Sequence, residues 1–226
     1  MNIYIGNISD FSLDFLINNS TPSRIKYSDR FKYEDDSKRS LLAGILLNYG
    51  IYMYTDCRRK YDIEYDEYSC PFVSDLPDRD YQFSISHSDS YVVCCVDSAS
   101  CGIDIEKIKP GCLQIAQRFF ADEEKSLILS DNDFYIYWTL KECLMKSTGL
   151  GMKLPMDSFY IENKADGYYR YVRKHDFSEE LMQKTRLIND YVGINLEAPS
   201  GYCMSACGMN VTAVNIIKVS PEDICD

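Results

Sequence analysis

The stretch CGIDIEKIKP, residues 101–110, alternates oil and acid. Ile103 and Ile105 frame Asp104, and Glu106 follows. Successive side chains of a strand point to opposite faces, so the isoleucines share one face and the two carboxylates share the other. The isoleucines read as core. Two carboxylates at this range repel each other unless something positive lies between them. A solvated strand face and an oxygen-only site for a hard cation such as Mg²⁺ both satisfy the pattern.

Working outward, two more strand-like runs precede this one, YQFSISHS (81–88) and SYVVCCVD (90–97). Turn-forming residues separate the three. Further upstream, MNIYIGNI alternates and predicts a first strand, and DFSLDFLINN (10–19) predicts a short helix capped by Asp10. Residues 28–51 carry Leu41, Leu42, Ile45 and Leu46 on one side at helical spacing, which predicts one or two helices. A polar, proline-containing stretch, 62–80, follows.

Downstream of Pro110 the period changes. CLQIAQRFFADEEKSLILS (112–130) and NDFYIYWTLKECLMKSTG (132–149) both read as helical, the second stopping at Gly149. Strand-like material returns in DSFYIE, YYRYVRK, DYVGINLE, GYCMSAC and VTAVNIIKVS. Helices followed by strands therefore occur twice, and SYVVCCVD is echoed by GYCMSACG. The pattern predicts an α+β chain of two similar halves, 1–101 and 102–226, each with helices packed on a small, mostly antiparallel sheet. A cleft between such halves is a natural ligand site.

The chain has 226 residues, 46% of them apolar, enough for a sizeable core. Its net charge of −11 argues against non-specific binding to nucleic acid or an anionic membrane. The ten cysteines fall in apolar runs and read as small buried hydrophobes of a reducing, cytoplasmic protein. No Cys-x-x-Cys pair occurs and there are two histidines, so a zinc site is not expected. No basic-then-apolar leader is visible at the amino terminus, and LLAGILL (41–47) is too short to span a membrane.

Three further groups carry chemistry. On a helix, Trp138, Glu142 and Lys146 fall on one stripe, at i, i+4 and i+8, with Leu150 and Leu154 beyond. Glu142 and Lys146 read either as an exposed ion pair or as the wall of a cleft, with Glu142 a third metal carboxylate and Lys146 a phosphate contact. His87, between Ser86 and Ser88, suits an anion ligand or a turn without a role. Arg24, Lys26, Arg30, Lys32, Lys38 and Arg39 form a loose basic set that suits either ligand phosphates or a solvated face. No glycine-rich phosphate loop is present.

FSISHS, GIDIEKIKP, RFFADEE and WTLKECLMKSTGLG, in this order and spacing, resemble the 4′-phosphopantetheinyl transferases of the surfactin-synthetase-activating (Sfp-like) type, over about residues 21–210. The resemblance implies two pseudo-equivalent α+β halves with coenzyme A bound between them. It implies transfer of the phosphopantetheine arm of coenzyme A to a serine of an apo acyl or peptidyl carrier protein. Adenosine 3′,5′-bisphosphate would leave, and Mg²⁺ is the expected ion, with Mn²⁺ as its substitute. Carried over by position, Asp104, Glu106 and Glu142 would hold the metal, and Glu142 would also be the general base. Lys146 would touch the phosphates; Ser86, His87, Arg39, Ser40 and Arg24 would contact the nucleotide end. Glu124, in FFADEE, would be a further acidic residue near the site.

The sequence departs from this pattern at Ser69-Cys70-Pro71, where many relatives carry Gly-Lys-Pro. A lysine is missing there, which leaves room for a weakly active coenzyme A-binding regulator; read without the resemblance, the same residues also suit a Mg²⁺-dependent phosphohydrolase. The resemblance also implies a monomer and a carrier-docking surface between Lys107 and Phe120. Ile115 and Phe119 are its apolar candidates, with burial in the core as their competing, favoured fate.

Overall fold

The computed structural model describes all residues except 75–80, 165–166, 175–178, 210, 212 and 226. The end of the polar stretch, 75–80, therefore lies outside the described residues. Helices and strands mix in an α+β arrangement whose two larger sheets are almost wholly antiparallel. The chain divides into two units, residues 1–98 with 213–226, and residues 99–212.

In the first unit, β1 (Asn2–Asn7), β4 (Gln82–Ser88), β5 (Tyr91–Asp97) and β11 (Asn215–Lys218) form a sheet in the order β11-β1-β5-β4. Only the β1–β11 pair is parallel. Strands β2 (Glu64–Tyr65) and β3 (Pro71–Phe72) make a separate hairpin. Four helices complete the unit: α1 (Leu13–Asn19), α2 (Pro22–Ser28), α3 (Glu34–Thr55) and α8 (Pro221–Cys225).

The helix caps follow from local chemistry. Ser12, rather than Asp10, caps α1 by accepting the Phe15 N–H at 3.1 Å. Asp10 is instead spent in a single turn of 3-10 helix, Ile8–Asp10. Thr21 caps α2, with Pro22 at the first helical position where its missing N–H costs nothing. Helix α3 has no side-chain cap, but Glu34, Asp35 and Asp36 fill its first turn and complement the helix dipole. Every residue from Ser40 to Leu47 is buried. A helix apolar all round must be covered on all sides; α3 packs on β1, β4 and β5 and also against α1 and α2.

The sequence division at 101/102 shifts in two respects: the boundary falls at 98/99, so that all of β6 lies in the second unit, and the carboxy-terminal residues change unit. Residues 213–226 belong with the first unit, because β11 extends its sheet: Asn2 to Ile5 pair with Asn215 to Lys218. A short apolar run at an open sheet edge finds backbone partners there, a consideration that element order does not contain.

The second unit is one antiparallel sheet, β6-β10-β9-β8-β7, built from β6 (Cys101–Lys107), β7 (Phe159–Asn163), β8 (Tyr168–Arg173), β9 (Val192–Leu196) and β10 (Tyr202–Gly208). Helix α6 (Asp131–Ser147) packs on β6, β9 and β10. Ser130 and Asp133 form its capping box, and Gly149, at φ +67°, lies just past its end. Helix α7 spans Glu179–Thr185.

The expected helical run 112–130 breaks into α4 (Leu113–Phe119) and α5 (Asp122–Lys125). The cause is Phe120, which leaves the helix in extended conformation and stacks its ring on Phe134 and Trp138. Leu113, Ile115 and Phe119 remain 37–47% exposed, so the favoured burial of Ile115 and Phe119 does not occur. All ten cysteines are free, and six of them are buried. Among the described residues no helix is long and apolar enough to cross a membrane.

Candidate active site

In β6 the alternation works as the residues dictate. Ile103 and Ile105 are fully buried on one face. Gly102, Asp104 and Glu106 take the other, opposite Cys207, Ser205 and Cys203 of β10. This second face is the one α6 covers. At Gly102 the strand and helix backbones nearly touch: an added Cβ would sit 2.0 Å from the Cys143 carbonyl oxygen. Only glycine fits there, and that close approach sets the depth at which α6 lies.

That depth places four of the expected residues together. The Lys146 ammonium pairs with Asp104 Oδ1 at 2.6 Å and donates to the Ile103 carbonyl at 3.3 Å. Asp104 is 2% exposed. Glu142, one helical turn before Lys146, is half-buried. Burial, then the Asp104 charge, push its carboxyl up to about 7; Lys146 opposes the shift and Glu106 adds to it. Burial works to discharge Lys146, but the Asp104 and Glu142 carboxylates outweigh it and raise its pKa. Three carboxylates thus share one field with one lysine.

Among the described residues, no three His, Cys, Asp or Glu side chains are close enough to hold a metal ion as they stand. The donor chemistry nonetheless fits a hard divalent cation. The available atoms are carboxylate oxygens, and three carboxylates face the single ammonium of Lys146, so the cluster carries an excess of negative charge. Asp104, Glu106 and Glu142 would have to close on the ion.

Beneath the carboxylates lies a polar layer that the sequence reading missed. Thr139 bonds Ser205 at 2.7 Å, and Asn195 donates to the Ser205 hydroxyl at 3.2 Å and to the Met204 carbonyl at 3.1 Å. Ser205 stands opposite Asp104 in the ladder. The signal was available: Ser205 interrupts an apolar strand, and Thr139 sits three residues before Glu142. Trp138, on the Glu142–Lys146 stripe, closes an aromatic stack with Phe134 and Phe120.

Glu124 has a different setting. It is 0% exposed and pairs with the equally buried Lys141 at 2.8 Å. Its oxygens also accept the backbone N–H groups of Ile161 and Ala121. Lys141 donates to the Met156 and Phe159 carbonyls. Burial raises the carboxyl and lowers the ammonium, and their mutual attraction opposes both shifts. The pair ties α5, α6 and β7 to one another.

The remaining expected residues lie in the first unit, around the amino-terminal half of α3. Arg24 Nε donates to the Ser40 carbonyl at 2.8 Å, its side chain lying over Gly44, where an added Cβ would press on it at 3.3 Å. Ser40 is buried. Arg39 donates to the Asp89 carbonyl in the β4–β5 turn and pairs with Asp36, which brings it to the turn that follows His87. His87 is exposed while its neighbour Ser86 is 8% exposed on the opposite strand face, so the two side chains diverge. Tyr65 and Tyr27 frame Arg24: it donates to the Tyr65 hydroxyl at 3.3 Å and lies 5.0 Å from the Tyr27 ring centre. The aromatic three residues after Arg24 on α2 was the signal for this. At the departing loop, Cys70 donates its N–H to Asp66, and Ser69 takes a left-handed φ of +61°, a conformation glycine adopts freely.

A family model of the 4′-phosphopantetheinyl transferase superfamily matches residues 100–206, a span that contains the whole Asp104–Glu106–Glu142–Lys146 cluster. A 4′-phosphopantetheinyl transferase of Bacillus subtilis is 34% identical over 174 residues, 67% of this chain and 74% of that protein. The chain belongs to the 4′-phosphopantetheinyl transferases. The transferase Sfp of B. subtilis strain 168 is 40% identical over 155 residues, 65% of this chain and 68% of its own. The transferase gsp of Aneurinibacillus migulanus is 29% identical over 222 residues, 94% of this chain and 87% of its own.

Proposed function

We propose that this phosphopantetheinyl transferase moves the 4′-phosphopantetheine arm of coenzyme A to a serine hydroxyl of an apo acyl or peptidyl carrier protein. The observation that carries the reading is the half-buried Glu142, crowded by Asp104 and Glu106 and answered by Lys146. The serine oxygen forms a bond to the β-phosphorus of coenzyme A. The bond from that phosphorus to the bridging oxygen breaks, and adenosine 3′,5′-bisphosphate leaves. Glu142 takes the serine proton, directly or through a water. Burial and the neighbouring carboxylates raise its proton affinity, the direction a general base at neutral pH requires. Lys146 faces the charge that grows on the leaving phosphate.

Asp104, Glu106 and Glu142 are the residues that would hold Mg²⁺. When bound there, the ion would draw charge from the diphosphate and free Lys146 from sole charge of Asp104. Arg24, Arg39, Ser40, Ser86 and His87 are proposed to receive the nucleotide end. That coenzyme A spans two pseudo-repeated halves is part of the same proposal and rests on the resemblance. The exposed Leu113, Ile115 and Phe119 of α4 are proposed to dock the carrier, with Arg118, over the Phe119 ring at 5.0 Å, offering a basic edge to an acidic partner.

Incubation with coenzyme A, Mg²⁺ and a panel of apo carriers, followed by mass spectrometry, tests the proposal. One phosphopantetheine added to a carrier is the expected result. Adenosine bisphosphate released without a carrier would replace transfer by hydrolysis. Coenzyme A binding with no product of either kind would leave a regulator.

A further inference from the structure

The first unit contains a cavity of about 260 Å³ that none of the residues proposed for coenzyme A lines. Its apolar walls are Ile45, Tyr49 and Tyr52 of α3 and Ile224 of α8. Arg39 and Tyr52 are thirteen residues apart on α3, about 20 Å along its axis. Arg58, Arg59 and Lys60 line the same cavity.

The chain builds this place deliberately. Asp56 ends α3 with a left-handed φ of +57°, which turns the chain back along the helix. Asn48 then pins it with two bonds to Tyr61, accepting its N–H at 2.7 Å and donating to its carbonyl at 3.3 Å. Between these fixed points run the three cations. Arg58 lies 4.5 Å from the Tyr52 ring centre and donates to the Tyr52 hydroxyl at 3.2 Å. Lys60 donates to the Asn18 carbonyl at 3.4 Å. Neither makes an ion pair with a described carboxylate. Among the described residues the one acid lining the cavity is Asp223, whose Oδ2 accepts both the N–H and the hydroxyl of Ser220 at 2.8 Å; this holds its carboxyl below the ordinary range and ionised, one negative charge against three cations.

A concave, aromatic-walled space with convergent cations is unusual ground in a protein of charge −11. Buried apolar area gives such a site affinity, and a few placed charges give it selectivity. Its volume is at the small end for ligand sites, which limits the guest to about one ring or a short chain. We propose that this cavity binds a small organic anion, a carboxylate or phosphate carried on an aromatic or short apolar body. The body would lie against Tyr49 and Ile224, and the anionic head would meet Arg58 and Lys60.

The test uses the full chain, labelled with ¹⁵N and titrated with phenyl phosphate and with benzoate, with benzyl alcohol as the neutral control. Both anions should move the amide resonances of Tyr52, Arg58 and Lys60, and the alcohol should not. The double variant Arg58→Gln/Lys60→Gln, altered only at exposed side chains, should keep its melting curve and bind the anions about tenfold more weakly or worse. Benzyl alcohol binding as tightly as the anions would overturn the proposal. So would unchanged affinity in the double variant, or shifts gathered at Arg24 and Arg39 instead.

Discussion

Helix α6 carries two lysine–carboxylate pairs five residues apart, and they differ in kind. Lys141 and Glu124 are both 0% exposed, and every strong polar atom around them has a backbone partner. Lys146 and Asp104 are 26% and 3% exposed, and two more carboxylates press on them. The first pair is electrically closed and holds the fold. The second is in deficit of positive charge and accessible, the condition under which the proposed cation would gain by entering. The same residue types on one helix thus separate into scaffold and proposed site by what surrounds them.

The comparison breaks most sharply at Glu142. Glu142→Gln should lower carrier modification by about 10²–10⁴-fold while the circular dichroism spectrum stays that of the parent. Normal turnover in that variant would remove Glu142 from the reaction. The opposite profile is expected at Glu124→Gln, which strands Lys141 as a buried charge. Urea unfolding should show about 3–5 kcal/mol of lost stability, and whatever protein stays folded should keep its turnover.

The third prediction concerns pH. Without metal, Glu142 titrates near 7 in the folded protein against an ordinary value of 4.5. Between those values the folded state holds a proton the unfolded state has lost. Stability from this group is therefore full below pH 4.5 and declines as pH rises to 7, by at most about 3 kcal/mol. Unfolding in EDTA across that range should show the decline; Mg²⁺ and Glu142→Gln should each flatten it. A curve unaffected by either would place the carboxylates apart. The smallest effect is expected at Gly102→Ala. Its methyl group meets the Cys143 backbone, so α6 must lift, at about 1–3 kcal/mol of stability. Transfer should fall together with the melting temperature, because Lys146 and Asp104 separate.

Much of this was legible in the sequence. The alternation of Ile103, Asp104, Ile105 and Glu106 fixed which face each takes, and the four-residue spacing of Glu142 and Lys146 put both on one stripe. What stayed hidden was long-range. Nothing near Glu124 in the chain announces Lys141, because their pairing depends on how α5 and α6 meet. The break at Phe120 depends on rings fourteen and eighteen residues later. Exposure of Ile115 and Phe119 was misjudged for the same reason: periodicity finds an apolar face but does not say whether anything covers it.

The pairing of β11 with β1 has a consequence for how the molecule is made. The Met1 amino group reaches the Ala213 carbonyl, a contact across 212 positions. On the ribosome, the residues of the second unit emerge as one uninterrupted stretch and can fold before those of the first are complete. Until residues 215–218 appear, β1 presents a bare strand edge, the kind of surface on which chains aggregate. The strand that covers this edge of β1 is thus made only after the whole of the second unit.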